Sequence, residues 1–266
     1  MQLTTVGLDL AKQVFQVHGV DETGLAVVRK RLRRSEVLRF FSKLAPCLVG
    51  MEACATAHHW ARELTALGHT VKLVPPSYVK AYVKRGKTDA ADAEAICEAV
   101  TRPTMRFVPL KSAEQQAMLM LHRARDLLVC LADDAGQRDS RTLRRVRLVA
   151  PKGIGRLSEL AALLVDDTAA ALPAVARQTL GALIGQLHAL AKQINALDAQ
   201  IVALHRHNET SRRLASIPGV GPITASALVA SVADARQFKS ARHFAAWLGL
   251  TPRSHSSGGK PSQAAK

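Results

Sequence analysis

The chain has 266 residues, 48% hydrophobic and 22% charged, which is enough apolar material for folded cores and unlike a disordered basic tail. Lysine and arginine number 37 against 21 aspartates and glutamates, a formal charge of +16 that points first to nucleic acid and second to an anionic membrane surface. Aromatics at 4% argue against single-strand binding on stacked aromatic platforms. No stretch reaches the roughly 18 uncharged apolar residues of a membrane span, and Met1 to Lys12 lacks the layout of a secretory signal.

The first hundred residues alternate strand-like and helix-like segments. Thr4 to Leu10 puts Val6, Leu8 and Leu10 on one face and Thr5, Gly7 and Asp9 on the other. Val14 to Val20 predicts a second strand, Asp21 to Gly24 a turn, and Leu25 to Leu32 a third strand with Arg29, Lys30 and Arg31 toward its end. Ser35 is placed to cap a helix through Lys43. The apolar run Cys47 to Met51 suits a central strand covered on both faces. A helix from Thr56 to Leu67 ends at Gly68, a strand covers Thr70 to Val74, and a helix covers Thr88 to Val100. This order predicts a mixed α/β sheet with helices packed on it.

The second half reads as helical. Leu180, Leu183, Leu187, Leu190, Ile194, Leu197, Ile201 and Leu204 alternate spacings of three and four, a heptad seam that predicts a coiled coil with another chain or with an earlier helix. Cys130 to Val149, rich in arginine and aspartate, has little periodicity and reads as an exposed loop or a poorly formed helix. Phe238 to Leu250 reads as an apolar helix with Trp247 in the core. The unevenly spaced Cys47, Cys54, Cys97 and Cys130 fit neither a zinc cluster nor a disulfide framework and read as buried thiols.

Acids are scarce in this chain, so their placement carries information. Asp9 falls at the end of the first strand and Glu52 directly after the fourth, where open-sheet sites form. Asp89 and Asp92, three apart on a helix, share a face. Four converging carboxylates repel one another, and hard oxygen donors of this kind suit Mg²⁺ or Mn²⁺. The plainer alternatives are solvated strand-end acids and Asp89 as a helix N-cap. Lys80, Lys84, Arg85 and Lys87 would form a basic lining beside the acids. Between two later helical stretches, Ile217 to Pro222 contains Gly219 and Gly221. The pair reads as a helix-hairpin-helix turn whose amides hold a phosphate beside Arg212 and Arg213, or else as a plain turn.

The strings Gly7-Leu8-Asp9-Leu10-Ala11-Lys12, Gly50-Met51-Glu52-Ala53 and Lys87-Thr88-Asp89-Ala90-Ala91-Asp92-Ala93 resemble the DEDD transposases of insertion-sequence family one-hundred-and-ten, its eleven-eleven branch above all. The run Ile217 to Lys260 resembles the same family's C-terminal transposase domain. The resemblance implies an RNase H-like, RuvC-like catalytic domain at 1–110, a helical coiled-coil linker at 111–209 and a C-terminal transposase domain at 210–266. It further implies Asp9, Glu52, Asp89 and Asp92 as the Mg²⁺-binding tetrad and Ser257 as the nucleophile on DNA, with Ser256 as second choice. Partners implied are DNA, a structured guide RNA and further copies of the chain, with no membrane, in the bacterial cytoplasm at the nucleoid. The chain departs from the family's pattern at Cys130 to Val149 and after Lys260, which leads to the expectation of a truncated, frame-slipped copy. A Holliday-junction-type endonuclease without a covalent intermediate and an inactive DNA-binding relic are the competing functions.

Overall fold

The computed structural model describes residues 2–84, 88–145, 173–251, 253–257 and 260–264, with backbone alone for 136–145 and for the last two stretches. These residues group into two units, Met1–Lys111 with Val232–Lys266, and Ser112–Ser231.

The first unit is built on a five-stranded mixed sheet. Strands β1 (Thr5–Leu10), β2 (Val14–Val20) and β3 (Ala26–Arg33) form an antiparallel meander, and β4 (Leu48–Glu52) and β5 (Thr70–Val74) extend it in parallel, giving the order β3-β2-β1-β4-β5. The expected strands are therefore present within a residue or two of their predicted ends. One face carries Val6, Leu8, Phe15, Val17, Leu32, Val49 and Met51, packed with Phe41 of helix α1 (Val37–Phe41) and with Trp60 and Leu64 of α2 (Ala57–Ala66). Phe15 meets Trp60 edge-on at 5.1 Å. The other face receives α4 (Asp89–Val100), after the short α3 (Pro76–Val79), through Ile96, Ala99 and Val100.

Two local expectations change. Ser35 lies inside a 3-10 turn, Arg34–Glu36, that precedes α1, and the turn is held by the Arg33 amide donating to Glu36 Oε2 at 2.7 Å. Glu36 outcompetes the serine because its longer side chain reaches back to the entering backbone. Trp247 in α9 (Ala241–Trp247) is 46% exposed, although it stacks on Phe244 and meets Phe238 edge-on. A seven-residue helix can share an aromatic cluster without enclosing it.

The second unit is helical. Helix α5 (Ala113–Arg145) runs through the arginine-rich segment expected to be irregular, up to Arg145; residues 146–149 of that segment lie outside the described residues. Leucine, alanine and arginine, frequent in this segment, all favour the helical state. Helix α6 (Ala174–His207) carries the heptad residues. Leu190 and Ile194 pack on Leu128, Val129 and Ala132 of α5, so over this stretch the seam meets an earlier helix of the same chain. Arg125 of α5 is paired with Asp198 of α6. Helices α7 (Glu209–Ala215) and α8 (Pro222–Ser231) follow, and Ser226 of α8 is buried against His122 Nε2 of α5 at 3.0 Å. No described helix is long and apolar enough to cross a membrane. All four cysteines are free; Cys47 and Cys97 are buried as expected, and Cys54 and Cys130 are exposed.

His58, buried on α2, ties the end of the first unit to its core by accepting the Lys111 amide at Nδ1, 3.2 Å away. Burial, reinforced by the charges of Lys111 and Arg62, lowers its pKa to about 4. The unfolded chain takes up that proton near pH 6.5, so the histidine's contribution to stability is complete above that pH and is lost as pH falls from 6.5 toward 4. We expect chemical denaturation to show a loss on the order of 2–3 kcal/mol across this window, flattened in His58→Gln.

Candidate functional site

Four carboxylates gather where α4 meets the ends of β1 and β4. The cause is the spacing of two glycines. Gly7 of β1 and Gly50 of β4 are register partners on neighbouring parallel strands. A Cβ on Gly7 would lie 2.5 Å from the Cys97 nitrogen and closer still to the Ala93 carbonyl oxygen; one on Gly50 would lie 2.8 Å from Val100 Cβ. Helix α4 therefore rests on bare backbone. Side chains alternate along a strand, so Asp9 and Glu52, each two residues past its glycine, lie on the same face as the helix. On α4, Ala93 and Cys97 press against Gly7, and Asp89, one turn before Ala93, together with Asp92 continues that stripe past the glycines.

The electrostatics report the convergence. Asp9 is pushed up to about 6, first by burial and then by the nearby charges of Asp92, Asp89 and Glu52. The other three predicted acids are thus all near enough for their charge to act on Asp9. Among the described residues no group of three or more His, Cys, Asp or Glu is gathered closely enough to hold a metal ion. The donor set is nonetheless hard anionic oxygen, the chemistry that Mg²⁺ and Mn²⁺ take.

Two details differ from expectation. Glu52 is the last residue of β4, paired with Val74, and not a residue beyond the strand. Asp89 is the first residue of α4 and not its cap: Thr88 caps the helix, its hydroxyl accepting from the Ala91 amide at 3.2 Å. The cap leaves the Asp89 carboxylate available to face the other acids. The sequence reading missed what Gly7 and Gly50 do, although a signal was there: each acid on the sheet stands two residues after a glycine.

The remaining candidates fall on separate elements. Lys80 lies in a 3-10 turn, and Lys84 is ion-paired with Glu94 at 2.7 Å; Arg85 and Lys87 lie outside the described residues. Gly219 adopts φ +85° in the turn between α7 and α8, where Val220 donates its amide to the Ile217 carbonyl at 3.0 Å. Gly219 and Gly221 are exposed, as are Arg212 and Arg213 on α7. Ser256 and Ser257 end strand β6 (Arg253–Ser257), paired antiparallel with β7 (Lys260–Ala264), Ser257 opposite Lys260.

Comparison with known proteins follows from these positions. A family model for DEDD transposases of the IS110 type matches residues 6–147, and one described as the transposase IS116/IS110/IS902 family matches 211–265. The first match reaches residue 147, inside the segment Cys130 to Val149 expected to depart from the family, and the second extends past Lys260. The chain is 50% identical over 262 residues to a protein of Pseudomonas aeruginosa named probable family 20 transposase, covering 98% of this chain and 77% of that one. It is 39% identical to the transposase for insertion sequence element IS1328 of Yersinia enterocolitica, covering 97% and 76%. It is 37% identical to the transposase for IS1111A of Coxiella burnetii, covering 96% and 70%.

Because α4 seats on Gly7, Gly7→Ala is expected to displace the helix and cost about 3 kcal/mol or more in chemical denaturation. Asp9→Asn removes one of four crowded charges. Its thermal midpoint in EDTA at pH 7.5 is expected to rise by several degrees, and an unchanged or lowered midpoint would contradict the crowding.

Proposed function

The chain belongs to the IS116/IS110/IS902 family of transposases, and from that premise we propose that it cuts and rejoins DNA strands at the carboxylate cluster around Asp9. The single observation that carries this reading is the field at Asp9, where burial and three further carboxylates disfavour the ionised acid and a divalent cation would offset their charge. Asp9, Glu52, Asp89 and Asp92 are the residues that would hold Mg²⁺, with Mn²⁺ as a substitute. Bound there, a divalent ion supplies Lewis-acid stabilisation of the attacking and leaving oxygens of a phosphodiester. The strand order β3-β2-β1-β4-β5, with the acids at the ends of β1 and β4 and on a helix above them, supports an RNase H-like, RuvC-like reading of residues 1–110.

The chain's own groups do the rest. Ser257 Oγ attacks phosphorus; its bond to phosphorus forms as the bond to one sugar oxygen breaks, and that oxygen leaves as a free hydroxyl carrying the proton. A hydroxyl from the other strand then attacks the seryl phosphodiester, and the serine is restored. Ser257 stands at the end of β6, in backbone register with Lys260, and Ser256 is one residue further into the strand. In residues 210–266, Arg212, Arg213 and the Gly219–Gly221 turn would grip DNA backbones, as would Lys80, Arg85 and Lys87 in residues 1–110, while Lys84 is paired with Glu94. Residues 111–209 act as a helical spacer that a coiled coil with a second copy would extend. The +16 charge supports a load of two polyanions, DNA and a structured guide RNA.

Asp92→Asn should lose strand exchange in a recombination assay while its far-UV circular dichroism is unchanged, and Mn²⁺ should no longer raise its thermal midpoint. Ser257→Ala should lose the detergent-resistant protein–DNA adduct. Mg²⁺-dependent cutting that persists in Ser257→Ala, with no adduct in the parent protein, would instead identify a junction endonuclease using water.

A further inference from the structure

We propose that Arg29 and Arg31, at the edge of the sheet, and Gln16 beside them form the track that holds the backbone of the DNA strand bound at Asp9. This inference rests on the proposed function and adds the residues that position the strand.

The track is set by strand register. Asp9 of β1 pairs with Gln16 of β2, and Gln16 pairs with Arg31 of β3. One row back, Gly7 pairs with His18, and His18 with Arg29. Register partners on antiparallel strands share a face. Arg31, Gln16 and Asp9 therefore stand in one line across the sheet, on the side where α4 sits. The residues that alternate with them on β3 point the other way: Leu32 is buried in the opposite core, and Lys30 Nζ lies 5.5 Å from the Phe40 ring centroid.

A groove of about 380 Å³ runs beside this line. Gln16, His18, Arg29 and Arg31 form one wall; Thr88, Ala90 and Ala91 at the start of α4 form the other. Small side chains on the helix keep it open. Glu94 also lines it; its carboxylate pairs with Lys84, and its charge is felt as well by His18 and Arg29. Arg29 and Arg31 are exposed, and among the described residues neither makes an ion pair. Their α-carbons, two residues apart, are spaced about 6.6 Å along the strand. Two planar guanidinium forks so placed offer bidentate donors to successive phosphates.

Charge complementarity selects the occupant. Asp9 and the three carboxylates near it repel a phosphodiester, so a strand reaches them only where cations beside them offset the repulsion. The arginine edge does this on the same face, and Gln16 bridges the two regions with a neutral amide that can donate to a phosphate without adding charge to the acid cluster. The line ends at the acids, so the strand it guides is the one that is cut, which is DNA.

The test uses the full chain and a fluorescein-labelled DNA duplex of arbitrary sequence. Anisotropy is read in EDTA over a salt series, so that metal plays no part. Arg29→Ala/Arg31→Ala should bind roughly tenfold or more weakly at low salt and lose up to about 1.8 from the slope of log affinity against log salt, about 0.9 per phosphate contact. The Arg29→Lys/Arg31→Lys pair should recover most of the slope. The Mn²⁺-induced rise in thermal midpoint should remain in both, which shows the cluster intact. Gln16→Ala should lower the rate of cutting with little change in DNA affinity. The proposal is overturned if the alanine pair keeps both affinity and slope, or if it weakens binding to an RNA duplex and not to DNA. Absence of the Mn²⁺ rise in the parent protein would count against the metal reading alone and leave the EDTA slopes to judge the track.

Discussion

The contact of α4 with the two bare backbones at Gly7 and Gly50 is the constraint on which the rest of the first unit depends. Helices usually stand off a sheet by the depth of their side chains. Here two register-paired glycines remove that depth at one place, and the helix drops until the Ala93 carbonyl and the Cys97 amide lie over Gly7. The approach brings the first turn of α4 to the level of the strand ends. The energetic trade is plain. The glycines give up side-chain burial in the sheet, and the fold gains a site where four like charges share one region that is only partly hydrated.

That region is acidic in a chain whose charge is strongly the other way. A surplus of +16 draws a polyanion to the molecule at long range, but the charge alone says nothing of where the polymer lies. The strand order puts the arginine-bearing edge strand two places from the acid-bearing β1, on one face, where the proposed track lies. Lys84 and Glu94 show the opposite arrangement close by. There a cation expected to face nucleic acid is spent on a carboxylate, and clusters of basic residues in sequence do not translate directly into clusters of available charge.

The helical unit follows a different economy. Its long helices join through a stripe of aliphatic residues, with Arg125 and Asp198 paired across them. His122 and Ser226, both buried, satisfy each other where α8 meets α5. A heptad seam that finds its partner within the chain has less apolar surface to offer to another copy, although Leu204 at its end remains 45% exposed.

Much of the sheet was legible from period-two patterning, because one face of each strand had to be covered: Val6 and Leu8, Phe15 and Val17, and Val49 and Met51 are all buried on one side. The acids were legible too, because so few compete for attention in this chain. Local competition was not. Glu36 displaced Ser35 at the entry to α1, and Thr88 took the cap from Asp89, since such choices turn on reach and backbone angle that residue types alone do not reveal. The irregular composition of Cys130 to Arg145 hid a helix that packing on α6 supports. By itself, then, the order of residues determined which segments are strands and helices and which side chains carry charge, because those follow from periodicity and composition. Only the tertiary structure decided that four acids and two arginines share a face, because that depends on strand order, on register and on how near a helix can come to a sheet where two side chains are missing.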